Sequence, residues 1–186
     1  MKKISYAMFC SLVLLVTHGT QAKRNLASKQ VYLFEVELVD TTREAPRKGY
    51  YIDRTGKLYS YSFNRPQQWH DLLRTSCRTR LTNECLKRKY SANKKLVRML
   101  EPSTVQNKLS LSKFIPVQQT PARYAKCSHT KKTLFSVYTY DPRHKIYHKT
   151  ALTSIDHDDQ KSQYAVLLVK WLSSVTGVKV SYFCGV

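Results

Sequence analysis

The chain has 186 residues, 42% of them apolar, and 32 Lys and Arg against 12 Asp and Glu give it a formal net charge of +20. That apolar share excludes global disorder and the length fits one domain, while 13 tyrosines against five glycines argue for a sheet-containing fold over a flexible linker. The charge predicts attraction to polyanions (cell-envelope polymers, lipid headgroups or nucleic acid) or to an acidic protein partner, without choosing among them.

Residues 1–22 read as a secretory signal peptide. Lys2 and Lys3 form its positive start, Ile4 to Val16 its apolar run, and Thr20-Gln21-Ala22 its small-residue cleavage site. The run is too short to span a bilayer, for which about 20 residues are needed, so the mature chain is expected to be exported to the periplasm or the extracellular space and not to be an integral membrane protein. Cys10 lies inside the apolar run and is not placed for lipid attachment. Subtracting Lys2 and Lys3 from +20 leaves about +18 on the mature chain. It also leaves four cysteines, Cys77, Cys85, Cys127 and Cys184. An even count in an exported chain favours two disulfides. Three pairings are open, and Cys77–Cys85 with Cys127–Cys184 is the one favoured here. No C-x-x-C spacing suggests a metal site, and no cofactor is expected.

Residues 23–186 are expected to form a single domain. Lys23 to Lys29 is a basic arm. V-Y-L-F-E-V-E-L-V, residues 31–39, is rich in β-branched and aromatic residues and predicts a strand. A hairpin follows around Asp53-Arg54-Thr55-Gly56, with glycine where a turn needs positive φ. Tyr59, Tyr61 and Phe63 alternate with Ser60 and Ser62, so one face of its second strand should be buried.

Residues 67–115 read as a mainly helical, basic segment. A first helix would carry Trp69, Leu72 and Leu73. A second, capped by Thr82, would carry Leu86, Tyr90, Leu96, Val97 and Leu100, with an interruption at Ser91-Ala92-Asn93. Pro102 to Gln119 fits either a short helix or a packed loop. Arg74, Arg78, Arg80, Lys87, Arg88, Lys89, Lys94, Lys95 and Arg98 face one acid, Glu84, across this stretch, the densest positive field in the chain.

Residues 122–186 predict a β-β-α-β unit. Arg123 to His129 is a candidate strand, and a hairpin turns at Asp141-Pro142-Arg143-His144. A helix from about Asp159 to Thr176 carries Tyr164, Leu167, Leu168, Trp171, Leu172 and Val175 at helical spacing and closes at Gly177. Val178 to Cys184 is expected to return to the sheet as a last strand. The fold class expected is therefore α+β: antiparallel hairpins, a helical middle segment and a C-terminal β-β-α-β unit, braced by disulfides.

The Y-Y-I-D-R-T-G-K-L-Y-S-Y hairpin, the acidic turn and the A-V-L-L-V-K-W-L helix resemble those of a loose group of small, uncharacterised bacterial secreted proteins and lipoproteins. The resemblance covers two blocks of the chain. It implies export and an α+β fold, and brings no activity with it. Two departures are the basicity and the missing lipid-attachment cysteine.

Three constellations invite chemistry. Asp156-His157-Asp158-Asp159 could hold a divalent cation, but it matches no calcium-loop register and serves a helix start equally well. His70, His129, His144 and His148 could pair with aspartates for acid–base work. Cys127-Ser128-His129 invites a nucleophile reading, which a disulfide at Cys127 would remove. G-x-S-x-G, H-E-x-x-H, P-loop and dinucleotide fingerprints are absent. The expectation is a non-enzymatic exported protein that binds an anionic surface, polymer or partner through the nine cations of residues 74–98. The alternative is a small metal-dependent secreted hydrolase or nuclease using the Asp156–Asp159 turn.

Overall fold

The structure, a computed structural model, describes residues 30–40, 48–63, 77, 79–115, 131–152 and 162–179. The signal segment, the helix expected around Trp69, the strand expected over 123–129, the Asp156–Asp159 turn, Cys127 and Cys184 lie outside the described residues, as does the strand expected over 178–184 beyond Lys179.

Among the described residues six strands make one antiparallel sheet: β1 (Tyr32–Asp40), β2 (Lys48–Asp53), β3 (Lys57–Ser62), β4 (Lys95–Met99), β5 (Lys131–Asp141) and β6 (Ile146–Ala151), in the order β4-β3-β2-β1-β5-β6. Among the described residues three helices cover it: α1 (Asn83–Ser91), α2 (Pro102–Ser112) and α3 (Ser162–Thr176). The fold class is α+β, as the alternating tyrosine strands and the amphipathic C-terminal helix predict.

The two hairpins form where the turn residues place them. In the first, Asp53 Oδ1 accepts from the backbone N–H of Thr55 (2.8 Å) and of Lys57 (3.1 Å), and Gly56 takes φ +82°. A Cβ at Gly56 would run into the carbonyl oxygen of Leu100, so the position needs glycine on two counts. In the second, Asp141 Oδ1 accepts from Arg143 N (2.9 Å), and Lys145 takes φ +55°.

Residue alternation gives the sheet two unlike faces. Leu33, Phe34, Val36, Ile52, Leu58, Phe135 and Val137 form an aliphatic face with Val105 of α2 and Ala165, Leu168, Val169 and Leu172 of α3. Leu33 and Phe34 share it because the register with β2 shifts between Tyr32 and Phe34. The opposite face gathers Tyr32, Tyr51, Tyr61, Phe63, Tyr138 and Tyr147 beneath Leu86 and Tyr90 of α1.

The sequence expectations need two corrections. Residues 95–99 are a strand, not a continuation of the basic helix. Val97 and Leu100 keep the helical phase of Leu86 and Tyr90, which suggested a helix, but Asn93 adopts φ +46° and stops it. Its side chain donates to Ser62 O (3.1 Å), and the chain turns to pair β4 with β3. On α3, Leu167 points outward at 49% exposure, and the buried centre of the stripe is Ala165, Leu168, Val169 and Leu172, flanked by Tyr164, Trp171 and Val175. Gly177, at φ +70°, closes this helix as expected, its N–H donating to Ser173 O (2.9 Å). The region after Pro102 is helical, with proline in the first turn where its missing N–H costs nothing.

Candidate functional site

α1 sorts the basic residues of its segment. Thr82 caps the helix, its Oγ1 accepting from Cys85 N (3.3 Å), and Cys77 is disulfide-bonded to Cys85 in the first turn. At 100° per residue, Cys85, Leu86, Lys89 and Tyr90 fall on the buried side, while Glu84, Lys87, Arg88 and Ser91 face solvent. Arg88 Nε donates to Glu84 Oε1 (3.1 Å), an exposed i,i+4 pair worth only tenths of a kcal/mol.

The nine cations expected to form one anion-binding surface therefore divide. Lys87, Arg88, Lys94, Lys95 and Arg98 are exposed on the outer side of α1, on the turn after it and on β4. Arg80 is exposed as well and donates to His144 O (3.2 Å). Lys94 lies 3.9 Å from the centre of the Tyr59 ring, and Arg98 donates to Val175 O at the end of α3. Arg74 and Arg78 lie outside the described residues. Lys89 does not belong to this surface: it is 6% exposed and turned into the tyrosine face. The cause is helical phase, which puts Lys89 one turn beyond Cys85.

There Lys89 completes a cluster of four charges that the sequence reading missed. Glu35 and Glu37, two residues apart on β1, point to the same face and are buried at 0% and 5% exposure. Glu35 Oε1 accepts from Lys89 Nζ (2.5 Å) and the Tyr61 hydroxyl (2.6 Å); its Oε2 accepts from Lys149 Nζ (2.7 Å) and the Tyr138 hydroxyl (2.7 Å). Glu37 lies 3.8 Å from Lys89 and 3.4 Å from Lys149. Tyr90 OH donates to Tyr138 OH (3.0 Å). Gly49 opposes Glu37 on β2, and a Cβ there would meet the Tyr61 hydroxyl at 2.7 Å, so its bareness lets Tyr61 reach Glu35. Among the described residues no buried side-chain nitrogen or oxygen lacks a hydrogen-bond partner.

Burial by itself opposes ionisation of Glu35, but the charges and hydrogen bonds of Lys149 and Lys89 outweigh it and hold the carboxyl far below the usual carboxylate range. The two lysines move apart. Burial pulls Lys89 down against the upward pull of Glu35 and Glu37; for Lys149, at the rim of the cluster, those carboxylates win over burial and push it well up. Tyr61, Tyr90 and Tyr138 are all pushed well above the ordinary tyrosine value by burial and by Glu35. Two carboxylates and two ammonium groups cancel. Each Glu35 oxygen already takes two donors, and the residue has no exposure, so it offers no acceptor position to a substrate proton. The cluster locks α1 to β1 and β6.

The other candidates stay apart. His144 Nδ1 sits 2.6 Å from Asp141 Oδ2 in the exposed second turn, and His148 is exposed on β6; His70 and His129 lie outside the described residues. Among the described residues no three His, Cys, Asp or Glu are grouped to hold a metal, and no helix is long and apolar enough to cross a membrane. Comparison with known proteins adds no relative: no family model matches the chain, and no curated protein and no solved structure matches it.

Proposed function

We propose that the chain is an exported, non-enzymatic protein that binds an anionic surface, polymer or partner through the exposed cations of its 74–98 segment. One observation carries this reading. Lys87, Arg88, Lys94, Lys95 and Arg98 are exposed with Glu84 as the only acid among them, and the neighbouring Glu35 and Glu37 are spent on the buried Lys89 and on Lys149 at the rim of the cluster. Because the buried cluster is neutral, the charge excess of the chain is not cancelled inside it. The Cys77–Cys85 disulfide fits an oxidising compartment.

Binding of this kind weakens steeply with salt, because surface charges are screened over about 10 Å at 0.1 M. The wild type should be retained on immobilised heparin and released by salt, and the variant Lys87→Glu/Arg88→Glu/Lys94→Glu/Lys95→Glu should pass through at low salt. All four positions are exposed, so circular dichroism should show the fold intact. Cosedimentation with anionic-lipid vesicles and gel shift with DNA, using the same pair, separate a lipid surface from a nucleic acid. Retention that is unchanged by the four reversals would refute the reading.

A further inference from the structure

β4 is an edge strand with one side unpaired: among the described residues its hydrogen-bonded neighbour is β3 alone. All five of its residues are exposed, including Leu96 at 56%, Val97 at 48% and Met99 at 57%. The other strand edge, β6, differs, since Tyr147 N there donates to Leu81 O (2.7 Å) at the entry to α1. An exposed edge is a template for an added strand, and proteins commonly blunt it with charge or a bulge. β4 has both: Lys95 and Arg98, and a register shift opposite Leu58 and Tyr59.

The register sorts its side chains. Lys95 pairs with Ser60 and Arg98 with Leu58, on the aliphatic face; Leu96 pairs with Tyr59 and Met99 with Lys57, on the tyrosine face. The edge thus offers cations on one face and apolar groups on the other. A second copy of β4 would bring cations toward cations, which disfavours self-pairing. The same pattern suits a strand whose acidic residues meet Lys95 and Arg98 while its apolar residues lie beside Leu96 and Met99.

We propose that the free edge of β4 takes up an extended segment of another polypeptide, one that alternates acidic and apolar residues, as an added strand. Backbone hydrogen bonds supply the attachment and the alternating side chains the selectivity. A one-residue slip exchanges the two faces, so alternation, and not acidic content alone, is what the edge reads. The proposal rests on the polyanion reading in one respect: the cations that meet the partner are Lys95 and Arg98 of the same segment.

The test uses the full chain and three labelled ten-residue peptides: alternating Glu and Val, the same composition as a Glu block followed by a Val block, and the alternating peptide with every second amide N-methylated. Fluorescence anisotropy should show the alternating peptide binding, with the block and methylated peptides weaker by about tenfold or more, the loss of one or two hydrogen bonds or pairs. Hydrogen exchange should slow at residues 95–99 when the alternating peptide binds, and Lys95→Glu should weaken it by a similar factor. Equal binding of all three peptides, no binding, or unchanged exchange at β4 overturns the proposal. So does protection of β4 in a concentration-dependent dimer, which assigns the edge to a second copy. Protection in the free monomer that is lost on deleting residues 180–186 assigns it to this chain's own end and also overturns it. Heparin retention is measured in parallel: peptides that fail while heparin still binds refute strand addition alone, and loss of both refutes the polyanion reading too.

Discussion

Glu35 shows how one residue ties distant parts of the chain together. Its two oxygens are held by a helix (Lys89), an edge strand (Lys149) and two tyrosines from either side of β1. Removing one member of a buried ion pair strands its partner without solvent and costs about 3–5 kcal/mol, whereas replacing both members by apolar groups is far milder. Lys89→Met should therefore destabilise strongly, because Glu35 keeps only Lys149 and Glu37 moves closer to being unpaired. Glu35→Leu should do the same by stranding the buried Lys89. The double variant Glu35→Leu/Lys89→Met should lose less than the sum of the singles, by at least about 1 kcal/mol, in urea unfolding followed by circular dichroism. Strict additivity would mean that Glu35 and Lys89 do not act as a pair.

At the scale of elements, most of the architecture was legible because local signals agree with the fold. Asp53 and Asp141 open the two hairpin turns, Gly56 takes the positive φ of the first, Thr82 precedes a helix it caps, and Gly177 ends one. The misreadings arose where a local pattern allows two answers. K-L-V-R-M carries apolar residues at positions that fit a helical phase, and only the positive φ of Asn93 and the pairing with β3 decide for a strand. The strand predicted over residues 31–39 assigned no place to Glu35 and Glu37; β1 is an inner strand and α1 covers their face, so both are buried. The basic run could not reveal that Lys89 is their counterion, since that contact joins residues more than 50 positions apart in sequence. The clue available was that two carboxylates on one face of an aromatic strand need a partner, and this chain has cations in excess. The helix that supplies the partner is fastened at its start by Thr82 and by Cys77–Cys85, whose sulfurs close a loop with a sequence separation of 8. A loop of that length is worth about 2–3 kcal/mol in unfolded-chain entropy. Reduction, or Cys77→Ser/Cys85→Ser, should lower the unfolding free energy by that amount, and adding Thr82→Ala should cost about 1 kcal/mol more. Hydrogen exchange should then quicken first in residues 83–91, before the β1–β2–β5 centre. Uniform loosening of the whole sheet would contradict the fastening role.

Among the described residues the sheet has one largely aliphatic face and one phenolic, charged face, and the buried titratable groups Glu35, Lys89, Tyr61, Tyr90 and Tyr138 lie on the second. Its pH response follows from the direction of each shift. Glu35 is held far below its unfolded value of about 4.3, so the stability it contributes is present above that pH and is lost as pH falls toward the folded value. Tyr61, Tyr90 and Tyr138 are pushed up, and Tyr32 is pushed up to about 12, by burial first and by neighbouring negative groups second. Groups raised in the fold contribute stability that is full below the unfolded tyrosine value of about 10 and is lost as pH climbs through the folded values. Lys149, also raised, acts in the same direction; Lys89, lowered by burial, opposes it but is one group against several. The urea midpoint should be flat from about pH 5 to pH 9 and fall on both sides. The alkaline side carries the more specific signature. Followed by absorbance at 295 nm, Tyr61, Tyr90 and Tyr138 should ionise only together with the loss of far-ultraviolet circular dichroism. Ionisation of every tyrosine in one step near pH 10, with the dichroism intact, would place these rings in water and leave α1 without the buried phenolic contacts that lock it to the sheet.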